Sequence, residues 1–426
     1  MTRVPPADAG SIDMIDAEDE AVQPDLAAVS GQGALTRFIL GASLVLIAFN
    51  LRPLFSSASA LLPEIRSEFG LSATAASLLT TLPVLCMGLF SPLAPRLARS
   101  IGTERTLLAV VLLLALGTAA RGPSSVPLLF LGTALAGACI AVGNVLLPGL
   151  VKRDFPDKTA LVTGWYTMAL CGGAAAGAGL TIPLEQAFGG SVAAALALWA
   201  VPALLVGVIW LPQVLAARRR PRGDRFAVIG LWRDRLAWHV TLFMGLQSAL
   251  AYCVFGWLVP ILRDRGLDGV TAGFIVSVSV MVQAAACLVA PHIAVRGKDQ
   301  TVINVALCLM SVGALLGLLF APLSTVWLWA ILQGIGQGGL IAVALTVIVL
   351  RTEDPHAAAH LSGMAQFVGY TLAAIGPLIV GLIRDWTGSF GWSAALFLAL
   401  GLGAAVNGWF AGRAVVVGAK TVRVDG

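Results

Sequence analysis

Phe38 to Pro63 reads FILGASLVLIAFNLRPLFSSASALLP, an apolar run interrupted by a single charge, Arg52. The flanking charges are Arg37 and Glu64, so Arg52 lies 15 residues from one and 12 from the other. At 1.5 Å per residue these separations are about 22 Å and 18 Å of helix, close to the middle of a hydrocarbon layer about 30 Å thick. A guanidinium at that depth is costly unless it faces protein or a water-filled cavity, and such residues mark ion or solute pathways. The alternative is a structural arginine that pins two helices through backbone carbonyls.

The rest of the chain is of the same kind. Hydrophobic residues make up 58% and charged residues 12% of its 426 residues, and the mean hydropathy is +0.90. Those values exclude a soluble domain and indicate a polytopic, all-α membrane protein. The six cysteines (Cys86, Cys139, Cys171, Cys253, Cys287, Cys308) all fall in apolar segments without CxxC spacing. They read as small packing residues, and neither disulfides nor metal sites are implied.

Residues 1–34 differ. Asp8, Asp13, Asp16, Glu18, Asp19, Glu20 and Asp25 stand there against one base, Arg3, with no basic and apolar signal pattern. This composition predicts a disordered acidic cytoplasmic tail.

Apolar runs bounded by charges or turn residues predict twelve spans, at about 37–63, 73–94, 105–121, 126–150, 159–184, 190–213, 237–262, 270–292, 300–321, 325–349, 357–383 and 390–413. With the N-terminus inside, 21 of the 27 Lys and Arg fall on the cytoplasmic side and five outside (Arg66, Arg121, Arg263, Arg265, Arg384), Arg52 lying within. That asymmetry predicts cytoplasmic N- and C-termini. The run from Arg218 to Arg225 is then a positive-inside anchor, and no nucleic-acid partner is needed to explain the basic pI.

The basic run also divides the chain: a six-helix half at 35–214, a basic cytoplasmic linker at 215–236, a second six-helix half at 237–414 and a cytoplasmic tail at 415–426. The halves repeat faintly. Asn50 to Pro63 spans the same distance as Gln247 to Pro260, and each proline precedes an arginine by three (Arg66, Arg263). Arg153 with PDKTALVTG (Pro156 to Gly164) answers Arg351 with PHAAAHLSG (Pro355 to Gly363), and Gly177 answers Gly376. Two parallel six-span halves with a site between them near the midplane are a transporter architecture.

Several stretches are more specific: FNLRP (Phe49 to Pro53), GNVLLPGLVKRDFP (Gly143 to Pro156), GLQSALAY (Gly245 to Tyr252), WLVPILR (Trp257 to Arg263), GQGG (Gly336 to Gly339) and LRTEDPHAAAHLSGMAQFVGY (Leu350 to Tyr370). Together they resemble the cyanate and nitroimidazole transporter family of the major facilitator superfamily, from about residue 36 to 414. One departure is the loop PRLARSIGTER (Pro95 to Arg105), which lacks the superfamily's usual aspartate before Arg99. The resemblance implies the major facilitator fold, and a bacterial cytoplasmic (inner) membrane carrier of a small anionic or electronegative solute. Its implied partners are that solute and the lipid bilayer, as a monomer, with no cofactor, no metal and no enzyme activity.

In that fold spans 1, 4, 7 and 10 chiefly line the cavity, so the resemblance implies solute contacts at Asn50 and Arg52, Asn144, Gln247 and Tyr252, and Gln333 and Gln337. Gln366 and Tyr370, four apart on one face of span 11, join them. Buried amides also serve simply as hydrogen bonds between helices. Pro53 and Pro148 deprive the carbonyls of Phe49 and Asn144 of their helical donors, so both polar clusters sit beside weakened helix. Trp165, Tyr166, Trp257 and Phe367 are candidates to stack on a flat ring or to pack the core. His356 and His360 have the spacing of a metal pair but lie at the cytoplasmic start of span 11 among alanines, and are read as ordinary polar residues. No nucleotide loop, triad or paired carboxylate is visible, and no Asp or Glu lies inside a span; Glu185 stands at an outer end. A carrier exporting neutral heteroaromatic compounds and an anion channel are the alternatives.

Overall fold

The computed structural model describes residues 34–123, 125–216, 226–353 and 355–423. The acidic segment before Ala34 and the Arg218–Arg225 run lie outside the described residues. Eleven helices are long and apolar enough to cross a membrane: Arg37–Ala60, Ala73–Phe90, Val126–Asp154, Leu161–Ala187, Val192–Ala216, Arg235–Asp264, Gly269–Ala294, Thr301–Phe320, Leu323–Leu350, Ala357–Thr387 and Ser393–Ala411. Thr103–Ala119, bent by 119° from the short helix Leu93–Ile101, supplies the twelfth. In chain order these are spans 1 to 12, with Thr103–Ala119 as span 3. The reversal before span 3 turns on Gly102, at φ +94°, a conformation that L side chains rarely adopt.

The twelve spans form two pseudo-symmetric six-helix halves. One repeat is visible at the ends of spans 4 and 10. Arg153 pairs with Glu104 in the first turn of span 3 at 2.8 Å. Arg351, its counterpart, donates to the carbonyls of Ala411 and Gly412 and to the Gln300 amide oxygen just before span 9. Each arginine thus ties the end of a fourth helix to the start of the third helix of its half. These clamps lie at the face carrying the first and last described residues, here the terminal face; the opposite one is the distal face.

Two features depart from the sequence reading. Span 1 is broken: its helix stops at Asn50, resumes at Pro53 and breaks again at Leu61. The linker and tail hold an unanticipated strand pair, with β1 (Phe226–Ile229) antiparallel to β2 (Lys420–Arg423). It is secured by Gly418 N–H on Asp234 Oδ2 at 3.0 Å and Val417 N–H on the Arg351 carbonyl at 2.8 Å.

The halves meet closely at the distal face. Arg263 forms a two-pronged pair with Glu64, at 2.7 and 2.9 Å. Asp385, near the end of span 11, accepts the N–H groups of Ala73 and Thr74 at 2.7 and 2.6 Å, capping the start of span 2 with a negative charge. One turn deeper Gly381 lies against Ser77, and Gly256 against Thr80. On the other flank of the interface, between spans 5 and 8, Ser277 Oγ donates to the Ala175 carbonyl at 2.7 Å.

Candidate functional site

The break in span 1 follows from Pro53, which has no N–H to give to the carbonyl of Phe49. Span 5 fills the space beside that carbonyl with Gly173, where any Cβ would overlap Phe49 O. One turn on, Gly177 meets the backbone of Pro53 and the side chain of Ser56. Glycine here is a requirement of close approach: the released carbonyl is sheltered by helix backbone, and Arg52 is left as the residue at the break. It caps the second segment of span 1 at φ −117° and ψ −29°, with no side-chain capping bond.

Arg52 is half-buried and points across the interface. Its Nη1 donates a long hydrogen bond to Tyr252 Oη at 3.5 Å, and that hydroxyl in turn donates to Met87 Sδ at 3.3 Å. Rings surround the phenol: Phe55 at 5.7 Å, Phe255 at 6.3 Å and Tyr370 at 6.2 Å between centroids. The set combines spans 1, 2, 7 and 11. Arg52 belongs to none of the four ion pairs among the described residues. A guanidinium keeps its charge, so this layer holds a positive charge amid aromatic faces without a carboxylate.

Asn144 follows Gly143, which packs on Leu51 at the break in span 1. Its Nδ2 is buried without a hydrogen-bond partner. Asn50 is buried and donates to the Leu46 carbonyl in its own helix at 2.9 Å. Gln366 is half-buried and bonds Ser362 at 3.1 Å; Tyr370 lies one turn further along the same helix.

The remaining amides are placed differently. Gln247, Gln333 and Gln337 are no more than 2% exposed and lie inside the second half, where Gln337 bonds Gln247 and Gln333 is linked only through Ser311, its Nε2 having no partner. Gln337 Nε2 donates to Gln247 Oε1 at 3.1 Å and to its carbonyl at 3.2 Å. Ser311 Oγ reaches Gln333 Oε1 at 3.3 Å and Gln337 Oε1 at 3.4 Å. In this conformation the triplet joins spans 7, 9 and 10, as buried amides do in membranes, and is not part of the Arg52 layer. Gly376 of span 11 meets Ala249 and Cys253 of span 7, much as Gly177 of span 5 meets Pro53 and Ser56 of span 1.

Among the stacking candidates, Tyr166 is half-buried and Trp165 and Phe367 are exposed. Trp257 is fully buried, its indole donating to the Pro377 carbonyl at 2.8 Å. Sequence reasoning missed Phe55, Phe255 and Met87, whose only signal was proximity in the chain to Arg52, Tyr252 or a span-2 proline. Arg121, counted among the outer charges, is buried with all three side-chain nitrogens unpartnered.

Residues 39–377 match the Major Facilitator Superfamily. The chain is 42% identical over 381 residues to the 2-nitroimidazole transporter of Escherichia coli (strain K12), covering 88% of this chain and 96% of that protein. It is 40% identical over 379 residues to an uncharacterized transporter of Bacillus subtilis (strain 168), covering 88% and 94%. It is 29% identical over 351 residues to the cyanate transport protein of Escherichia coli (strain K12), covering 82% and 90%. Among solved structures, a bacterial homolog of the human lysosomal transporter Spinster superposes with a TM-score of 0.68 at 16% identity, over 89% of this chain and 94% of that one.

Proposed function

We propose, from the premise that this chain belongs to the Major Facilitator Superfamily, that it carries a small anionic or electronegative solute with a flat, conjugated body. It is a multi-pass membrane transporter and not an enzyme. The observation that supports the solute class is Arg52: a charge at mid-depth, bridged to the opposite half through Tyr252 and ringed by Phe55, Phe255 and Tyr370. Its fork of donors suits carboxylate, cyanate-like or nitro groups, and the rings suit a planar body. Two relatives named for 2-nitroimidazole and for cyanate fit that pairing of electronegative group and compact shape.

In this reading Arg52, Tyr252, Tyr370 and Asn144 touch the solute, Asn50 and Gln366 border it, and Gln247, Gln333 and Gln337 hold the second half rigid around it. Because Arg52 and Tyr252 belong to opposite halves, a solute bridging them couples its binding to the relative position of the halves, as alternating access demands. The excess of Lys and Arg at the terminal face supports an inner-membrane placement with both termini in the cytoplasm.

The aromatic set favours one other reading, a carrier for neutral heteroaromatic compounds. Binding to the purified protein in lipid nanodiscs separates them, with cyanate, benzoate, 2-nitroimidazole and neutral imidazole as probes. The anion reading expects Arg52→Gln to abolish cyanate and benzoate binding while the protein still inserts and folds, and Arg52→Lys to weaken it about ten-fold by losing the two-pronged geometry. Unchanged anion affinity in folded Arg52→Gln overturns it, and loss of imidazole alone favours the neutral carrier.

A further inference from the structure

A second cluster of guanidiniums lies at the distal face, far from Arg52. A cavity of about 300 Å³ opens there between the halves, walled by Arg66, Arg263, Arg384 and Asp264 above the rings of Trp257 and Phe390. Two of the three arginines are matched. Arg263 holds Glu64, and Arg384 holds Asp264 at 2.7 Å while its Cζ sits 4.6 Å from the centre of the Phe390 ring. Arg66 takes part in no ion pair among the described residues; its Nε gives a long hydrogen bond, 3.4 Å, to the Leu71 carbonyl. With three cations against two carboxylates, the wall carries one unmatched positive charge, and the cavity falls at the small end of ligand pockets, about 300–1,000 Å³.

We propose that this distal cavity is a second anion site, which takes a small carboxylate on the fork of Arg66 with its body along the apolar side of the cavity, where Pro63 is half-buried and Trp257 closes the floor. A carboxylate is the complement of an unpaired guanidinium fork, and Arg384 beside it adds positive field without offering its own fork, already occupied by Asp264. Arg263 borders the same space, so the ligand lies against the side chain that clamps the halves together through Glu64. The choice of probe rests on the anionic reading of the Arg52 site, but the two sites fail independently.

The test counts sites by equilibrium dialysis of labelled benzoate against the full chain in nanodiscs. Wild type is expected to bind two equivalents. Arg66→Gln should lose one and leave the affinity of the other within two-fold, Arg52→Gln should lose the other, and the double variant should bind none. Arg66→Lys, which keeps the charge without the fork, should weaken the distal site about ten-fold and guards against a folding artefact in Arg66→Gln. The substitution avoids Arg263, whose loss would break the clamp itself. Wild-type stoichiometry and affinity in Arg66→Gln overturn the proposal, as does a single equivalent in wild type that Arg52→Gln removes. A single equivalent removed by Arg66→Gln but untouched by Arg52→Gln upholds the distal site and overturns the Arg52 reading instead.

Discussion

Arg52 and Tyr252 stand 200 residues apart in the chain and meet across the two halves, guanidinium Nη1 to phenol oxygen at 3.5 Å. They come from spans 1 and 7, the first spans of the two halves. The interface therefore places a cation of one half opposite a neutral hydroxyl of the other. A solute that inserts its anionic group between them replaces one long hydrogen bond to a neutral hydroxyl with shorter, two-pronged bonds to an opposite charge.

Tyr252→Phe keeps the ring and its stacking on Phe55, Phe255 and Tyr370 but removes the hydroxyl. One hydrogen bond is worth about 1 kcal/mol, so the affinity for an anionic solute should fall about five-fold. Because the hydroxyl acts together with Arg52, the losses in Arg52→Lys and Tyr252→Phe should combine in Arg52→Lys/Tyr252→Phe to less than their product. Fully additive losses in that double-mutant cycle would separate the two residues and count against a shared site.

Gly173→Ala should destabilise the protein by about 1–3 kcal/mol, the usual range for overpacking a tight contact, because the new methyl falls on the Phe49 carbonyl. Gly313→Ala is the matched control: it makes the same exchange inside span 9, where nothing stands within 4 Å of the added Cβ. Thermal unfolding of both in detergent reads the difference. A melting temperature unchanged in Gly173→Ala would mean that the break in span 1 is not held by that approach.

The twelve spans were legible because hydropathy is a property of each segment alone. Arg52 was legible for a related reason, since its cost depends on depth, and depth follows from chain distance to the flanking charges. The broken helix at Pro53 was half legible: proline announces the missing bond, but only packing shows that Gly173 shelters the orphaned carbonyl. What could not be read was which polar residue faces which neighbour. Gln247, Gln333 and Gln337 sit on spans 7 and 10 with suitable spacing, and nothing local distinguishes a solute contact from an amide bonded to another helix. Phe55 and Met87 were invisible as site residues because an apolar side chain in an apolar span gains meaning only from what the other half brings to it. The strand pair of β1 and β2 joins segments nearly 200 residues apart, beyond any local pattern.

The burial of Gln247 makes a labelling prediction. In a background lacking the six native cysteines, Gln366→Cys, half-buried one turn from Tyr370, should react with a small polar thiol reagent and be protected by bound solute. Gln247→Cys, fully buried behind the Gln337 amide, should remain unlabelled. Labelling of Gln247→Cys that solute prevents would return the amide triplet to the cavity wall.

Coupling is the last question the site poses, and its terms are set by where the carboxylates stand: those within the spans, Glu104, Asp154, Glu185, Asp264 and Asp385, all lie in a terminal turn. Glu185 is the nearest candidate. It is half-buried in the final turn of span 5, where the carbonyl of the same residue accepts the Gly190 N–H at 2.9 Å as the helix ends. A group at that edge is solvated and poorly placed to deliver a proton to Arg52 near mid-depth. An anion entering against a negative-inside potential is opposed by about 2.3 kcal/mol per charge per 100 mV, so a driving proton would have to travel with the solute or not at all. Flux into proteoliposomes decides this, with wild type and Glu185→Gln compared under an imposed pH gradient and under an imposed voltage. Equal responses in both proteins are expected. If Glu185→Gln loses only the pH-driven component while counterflow exchange persists, Glu185 is the proton site and coupling runs through the distal end of span 5.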